Sequence, residues 1–333
     1  MNIAFILYLG SMLEGKSNGI RMQALIWKKA LEERGIHITL IDCWGDYNWA
    51  TFDVIHVFGT SGTIDLLPRL YEKNQKIVVS PIIDSNRSIL SHRVASYVRI
   101  PYLRLSSPNA LLRKYSCYVS AFLVRTEYEG NILRAYGIPA SKIIKIPLSY
   151  RNKVNLNTNT EKERYCLHVS LFTQARKNVM RLIQAAIKYK FKLILAGNKG
   201  TESDFEPFRA IIENNDNIIY EGFVSESKLN ELYQKAKVFC LPSICEGVGL
   251  VALEAARCGC EIVITEIGGP KEYYNGMAFL VNPYDIDSIG MSVMKAFDGG
   301  YQPKLQNYIE STYSLQHTIN LLEKAYHEIK HLH

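Results

Sequence analysis

Short apolar runs rich in Val, Ile, Leu and Phe alternate with stretches of helical period from one end of the chain to the other. In the first half, the runs predict strands over residues 2–8, 37–42, 53–57, 76–80, 118–124 and 143–146. Apolar spacing between them predicts helices, most clearly over 19–34 and 127–136. Thr126 followed by Glu129 has the form of a capping box, and Gly137 with Pro139 beyond it marks that helix's end. From residue 151 the text becomes RNKVNLNTNTEKER, a polar run with almost nothing to bury. Strands resume over 166–170, 191–196, 217–220, 238–241, 261–265 and 278–281. Helices are expected near 177–189, 204–214, 226–236, 247–258 and 285–297, with a last amphipathic one over 315–332. Alternating βαβ units in both halves predict an α/β chain of two doubly wound parallel sheets. The divisions are an N-terminal domain over 1–150, a linker over 151–164, a C-terminal domain over 165–312 and a closing helix over 313–333. Ligands of such sheets bind outside the carboxyl ends of the strands, so the cleft between two lobes is the expected site.

Composition narrows the class. At 47% hydrophobic and 21% charged residues the chain is globular, and no run approaches the roughly 18 apolar residues of a spanning helix. The apolar start lacks a basic leader and a small-residue cleavage site, so it reads as a first strand and not a signal peptide. Seven scattered cysteines, an odd number, do not form a disulfide framework and suit a reducing cytoplasm. The net charge of +7 is uneven. Between Ser85 and Asn155 lie twelve of the 39 basic residues but only Glu127 and Glu129 of the 32 acidic ones. Tyr97, Tyr102, Tyr115 and Tyr118 are interleaved with those cations. A solvated basic face, a nucleic-acid surface and an anionic membrane contact would all carry such a pattern.

One motif invites a nucleotide-hydrolase reading. Gly10 to Ser17 fits G-x-x-x-x-G-K-[ST] after a predicted strand, with Lys16 and Ser17 as the phosphate and Mg²⁺ contacts. Asn18-Gly19 interrupts the helix that should follow, and residues 77–84, broken by Pro81, give no clean strand-end aspartate. A β1–α1 loop matching the pattern by chance is the simpler reading.

The informative segment is Leu241-Pro-Ser-Ile-Cys-Glu246-Gly-Val-Gly-Leu-Val-Ala-Leu-Glu254. A strand ends in Pro242-Ser243 and leads to a helix expected from about Gly247. Gly247 and Gly249 leave room for a ligand at the backbone, and the helix start offers unpaired N–H groups for a diphosphate. Eight residues at about 100° each bring Glu254 to within about 80° of Glu246, so both carboxylates can face one site and accept bonds from sugar hydroxyls. The plainer alternative is an exposed helix glutamate beside two turn glycines.

In this context the chain resembles glycosyltransferase family 4, retaining nucleotide-sugar transferases of the GT-B fold. Supporting stretches are Asn18-Gly19-Ile20-Arg21, Arg125 to Pro139, Arg176-Lys177-Asn178, Gly268 to Tyr273 and Val281-Asn282-Pro283. The resemblance implies two Rossmann-like domains facing across a cleft, the C-terminal helix packing back on the N-terminal lobe. It implies that Glu246 holds the transferred sugar, Glu254 the ribose, and Lys177 with Arg176 the diphosphate. Backbone N–H groups of Val248, Gly249 and Leu250 would bind the distal phosphate, with Gly247 also at the donor; Gly19 would let the other lobe close, and Gly222, Phe223 and Val224 would lie near the base. Glu246 and Lys177 are therefore catalytic candidates. Asp84 is a third, on the acceptor side, where the family often has a histidine; it could equally cap the next helix. Where the family commonly has Gly-Arg after the first C-terminal-domain strand, this chain has Ser170-Leu171, so that charge either comes from Arg176 or is missing.

Asp285-Ile-Asp287 opens a helix and reads as its cap, and Cys240, Cys245, Cys258 and Cys260 lack histidines at ligand spacing and read as buried. No metal and no cofactor beyond the nucleotide-sugar co-substrate is expected. The resulting expectation is a UDP- or GDP-sugar-dependent transferase acting on a saccharide or lipid-linked saccharide, in cell-surface polysaccharide synthesis. It would be cytoplasmic, peripheral at the inner face of the membrane through residues 85–155, and without a nucleic-acid partner. A GT-B epimerase and a non-catalytic nucleotide-sugar-binding module are the alternatives.

Overall fold

The computed structural model describes residues 1–8, 19–42, 44–60, 62–100, 105–151, 160–172 and 174–332. The P-loop-like stretch from Gly10 to Ser17, Tyr102, Arg104 and most of the polar linker lie outside the described residues. The chain forms two compact units. One comprises Met1–Ile83, Arg87–Pro147 and Gln316–His333, the other Asp84–Asn86 and Leu148–Leu315.

The first unit contains β1 (Asn2–Leu7), β2 (His37–Leu40), β3 (Val54–Phe58) and β4 (Ile77–Ser80). A short antiparallel ribbon, β5 (Arg99–Ile100) and β6 (Leu105–Ser106), precedes β7 (Ala121–Val124) and β8 (Ile143–Lys145). The main sheet is parallel, in the order β2-β1-β3-β4-β7-β8. Its helices are α1 (Gly19–Glu32), α2 (Leu67–Lys73), α3 (Ile89–Ala95), α4 (Pro108–Tyr115) and α5 (Glu127–Ala135). Every residue of β3, β4 and β7 is buried, the both-sided cover that makes parallel strands read as unbroken apolar runs.

The α5 start keeps half of its expected capping box. Thr126 accepts from the Glu129 N–H at 3.1 Å, but the buried Glu129 carboxylate turns elsewhere. It accepts from the N–H groups of Arg125 at 2.8 Å and Ile83 at 2.6 Å, and pairs with the Arg125 guanidinium at 3.1 Å. At the other end Ile138 N–H reaches Leu133 C=O and Gly137 N–H reaches Arg134 C=O, the paired bonds of a Schellman stop.

The second unit runs β9 (Glu163–Val169), α6 (Val179–Tyr189), β10 (Leu193–Ala196), α7 (Glu202–Glu213), β11 (Ile218–Gly222), α8 (Glu226–Lys235) and β12 (Ala236–Leu241). It continues through α9 (Leu250–Arg257), β13 (Glu261–Thr265), β14 (Phe279–Val281), α10 (Ile286–Phe297) and α11 (Lys304–Thr312). The sheet is again parallel, in the order β11-β10-β9-β12-β13-β14. Strand order reverses between β9 and β12, which is the topological switch point of a doubly wound sheet. Leu182, Ile183, Leu193, Val238, Val263 and Val293 pack one face of its core.

The closing helix, α12 (Leu315–Lys330), groups with the first unit from Gln316 onward, as the resemblance implied. Arg34 pairs with Glu323 at 2.8 Å, and Lys76 donates to the Lys330 carbonyl at 2.7 Å. Tyr326 OH meets the buried His56 Nδ1 at 2.6 Å, while Ser80 Oγ meets Nε2 at 2.8 Å. Burial holds the His56 pKa down to about 3, so the ring is neutral with both nitrogens satisfied.

Candidate functional site

The site of the second unit is built by loops leaving β9, β12 and β14. Asn178, in the left-handed conformation at φ 61°, ends the short turn Ala175–Lys177. Its buried amide donates to the carbonyls of Pro242 at 2.9 Å and Pro283 at 2.6 Å, fastening the three loops together. The Ile244 N–H donates to the Arg176 carbonyl at 2.7 Å, which lays the turn along residues 242–246.

Against this frame Lys177 Nζ lies 2.6 Å from Glu246 Oε2 and Arg176 Nη1 lies 3.4 Å from Oε1. Ser243 Oγ donates to Oε2 at 3.2 Å. Glu246 is 9% exposed and Lys177 13%, so that pair is largely shielded from water, while Arg176, 38% exposed, adds a second cation from the open side and leaves one positive charge in excess.

The helix beyond starts later than expected. Its first residue is Leu250, with Gly249 as the N-cap at φ 72°, so Glu246 to Val248 are not helical and no eight-residue helical rotation relates Glu246 to Glu254. A Cβ on Gly249 would meet Leu241 Cδ2 at 3.0 Å on top of the left-handed strain, so glycine is strongly favoured. Val248 and Gly249 are buried; Ala252 N–H already donates to the Gly249 carbonyl at 2.8 Å, which leaves the N–H groups of Leu250 and Val251 as those without an acceptor inside the helix. Glu254 therefore stands one turn into α9 and is held separately, by Arg151 Nε at 2.9 Å from Oε1. Burial works against the Arg151 charge, but the Glu254 carboxylate outweighs it and raises the guanidinium pKa.

Behind the cluster, His168 at the end of β9 is fully buried. Its Nδ1 lies 2.8 Å from the Cys240 carbonyl, which fixes the proton there and leaves Nε2 to accept from Ser170 Oγ at 2.7 Å. Burial pushes its pKa to about 4, the Cys240 bond opposing and the Lys177 charge adding. Ser170 itself is approached by the next loop, since a Cβ on Gly197 would lie 1.9 Å from the Ser170 carbonyl oxygen. Ser243 belongs to the segment 241–254, but its bond to Glu246, like the places of Arg151 and His168, is set by the fold and not by a sequence motif.

Other expected residues fall as follows. Gly222 ends β11, Phe223 beyond it is 85% exposed, and Val224 is half-buried. Gly19 is the first residue of α1 in the first unit. Asp84 groups with the second unit, where burial raises the Cys245 thiol pKa, Arg176 opposes, and Asp84 with Glu246 adds to the rise. The cap of α3 is Ser88, which accepts from the Ser91 N–H at 3.2 Å, so Asp84 is not that cap. Cys245 is half-buried and not enclosed like Cys240, Cys258 and Cys260. Asp285 caps α10 through the Asp287 N–H at 2.8 Å. Among the described residues no group of three His, Cys, Asp or Glu could hold a metal ion.

The basic segment divides. Arg125 is buried on Glu129, Arg134 pairs with Glu127, and Arg151 belongs to the second unit. On α3 only His92 is buried, while Leu90, Val94, Tyr97 and Val98 are exposed along with Arg93. Arg113 lies 3.5 Å from the centroid of the Tyr97 ring. No helix among the described residues is long and apolar enough to cross a membrane.

Residues 151–315, nearly the whole second unit, match the family described as glycosyl transferases group 1. O-antigen chain mannosyltransferase B of Escherichia coli is 26% identical over 187 residues, covering 50% of this chain and 48% of that protein. The chain spans less than half the length of the relatives it matches in sequence. In fold, sucrose-phosphate synthase from Thermosynechococcus elongatus superposes over 99% of both chains with a TM-score of 0.76 at 14% identity. HepE of Anabaena, in complex with UDP and glucose, covers all of both chains with a TM-score of 0.63 at 14% identity. The two six-stranded parallel sheets are those of GT-B glycosyltransferases, and residues 151–315 belong to the glycosyl transferases group 1 family.

Proposed function

We propose that this protein moves a sugar from a nucleotide-diphosphate donor, a UDP- or GDP-sugar, to a hydroxyl of a lipid-linked saccharide, with retention at the anomeric carbon. The observation that carries the reading is the Lys177–Glu246–Arg176 cluster at the β9/β12 switch point, before the glycine-capped start of α9. The excess positive charge and the N–H groups of Leu250 and Val251 at the start of α9 suit a diphosphate and stabilise it as it leaves. Glu246, fixed by its cations, accepts hydroxyls of the transferred sugar, and Glu254 accepts those of the ribose. A carboxylate 2.6 Å from an ammonium is a weakened nucleophile, so the leaving phosphate oxygen takes the acceptor proton on the same face. The binding of UDP and glucose by HepE and the O-antigen role in the name of the E. coli relative support the donor class and the polysaccharide setting.

The charge needed at the diphosphate comes from this chain's own cations, so the proposed reaction uses no metal. A cytoplasmic protein seated on an anionic inner leaflet fits the exposed Leu90, Val94, Tyr97 and Val98 beside Arg93 and Arg113, since apolar side chains flanked by cations favour such an interface. The test is incubation with UDP- and GDP-sugars, with and without acceptor. Release of nucleoside diphosphate coupled to a glycosylated product is expected. Epimerisation of the donor without any acceptor would refute it.

A further inference from the structure

The cavity that the donor-site reading leaves unused lies in the first unit, at the carboxyl ends of β1 and β2. It holds about 490 Å³, within the range of ligand pockets. Its wall is apolar, built by Ile6, Ile41, Leu66, Leu70, Tyr47 and Trp49. Its polar groups are of two kinds. Asp42 and Thr63 are already occupied: the carboxylate accepts from the Trp44 N–H at 2.8 Å and from Tyr47 OH at 3.0 Å, and the Thr63 hydroxyl donates to the Gly59 carbonyl at 2.8 Å. Arg69 and Lys73 are not so engaged. They lie one turn apart on α2, exposed, and neither has an ion-pair partner among the described residues.

A hydroxyl-rich ligand would find few unsatisfied partners in that wall, whereas a hydrocarbon would find a surface to cover. The uncommitted charge is positive. We infer that this cavity takes an anionic amphiphile: a hydrocarbon chain within the apolar wall, its terminal phosphate or diphosphate on Arg69 and Lys73. The assignment rests on the transferase reading for the identity of that molecule, and deepens it by naming the acceptor as a lipid phosphate bearing the saccharide. Exposed Trp44 and Leu40 beside the cavity continue the apolar surface outward.

The experiment is a titration of the full chain with decyl phosphate, inorganic phosphate and decanol, read by tryptophan fluorescence, since Trp49 is in the wall and Trp44 next to it. Decyl phosphate is expected to saturate with an affinity about tenfold or more above either fragment, because both halves of the ligand contribute. R69E/K73E, at two exposed positions, is expected to weaken decyl phosphate about tenfold or more with an unchanged Tm. L66W, which fills the cavity from a partly exposed position, is expected to abolish binding with little loss of stability. Equal binding of inorganic phosphate, or saturation by decyl phosphate that both variants leave intact, would overturn the inference. No nucleotide sugar is present in this titration, so its failure is read apart from any failure of donor turnover.

Discussion

Replacing Lys177 with Met removes the ammonium 2.6 Å from Glu246 Oε2 and leaves the carboxylate 9% exposed in its loop. Stripping one partner from a buried pair costs about 3–5 kcal/mol when nothing else compensates. Here Arg176 at 3.4 Å and Ser243 at 3.2 Å remain, so about 2–3 kcal/mol is expected. Across the 171 residues of the second unit, that is roughly 5–10 °C in its melting transition. E246Q alone leaves Lys177 and Arg176 close together without their carboxylate and is expected to cost about 1–2 kcal/mol. The double variant removes both offending charges, and a double-mutant cycle from urea unfolding should give a coupling of about 1.5–3 kcal/mol. The same proteins, titrated with UDP and GDP, should lose nucleotide affinity for K177M. Additive costs, within about 0.5 kcal/mol, would refute the reasoning that the two side chains act as one buried unit.

Three further outcomes follow from the same geometry. His168 has a pKa of about 4 in the fold, below its ordinary 6.5, so the unfolded chain takes up its proton first and stability falls as pH drops through that interval. Between pH 7 and pH 4.5, H168N should lose about 2–3 kcal/mol less than the parent, read from urea midpoints; parallel profiles would contradict the neutral assignment. G249A forces a side chain into φ 72° against Leu241, costing about 1–3 kcal/mol and the nucleotide affinity; wild-type binding by G249A would count against the helix start as a phosphate site. Y326F leaves one buried His56 nitrogen without its 2.6 Å partner, so about 1–2 kcal/mol of stability and the hydrogen-exchange protection of α12 should go; unchanged exchange would show that the helix is held otherwise.

Sheets and caps were largely legible because they are local. Apolar β-branched runs marked the strands, Thr126 and Asp285 cap the helices they precede, and Gly137 ends α5. A helical period does not extend through Glu246-Gly-Val-Gly249, since the left-handed Gly249 sets the start at Leu250 and periodicity does not register a cap. Asp84, Asn86 and Ser88 are all cap-forming types, and only tertiary placement selected Ser88. Arg151 stands at the head of a polar run with nothing local to mark it, because its partner Glu254 is 103 residues away. His168 read as one polar letter in a strand; its bonds to Cys240 and Ser170 need the neighbouring strand to become visible. The basic segment likewise read as one surface, although Arg125 is buried within it and Arg151 pairs in the other unit.

Sugar transfer at the Glu246 cluster is tested most directly by one reaction. The full chain is supplied with a UDP- or GDP-sugar and a lipid-phosphate-linked saccharide, and nucleoside diphosphate and product are followed together, the new linkage being read by NMR. One nucleoside diphosphate per added sugar, a retained anomeric configuration, and a loss of about 100-fold or more in K177M and E246Q are the predicted results. Turnover that both variants preserve, or a product of inverted configuration, would contradict it.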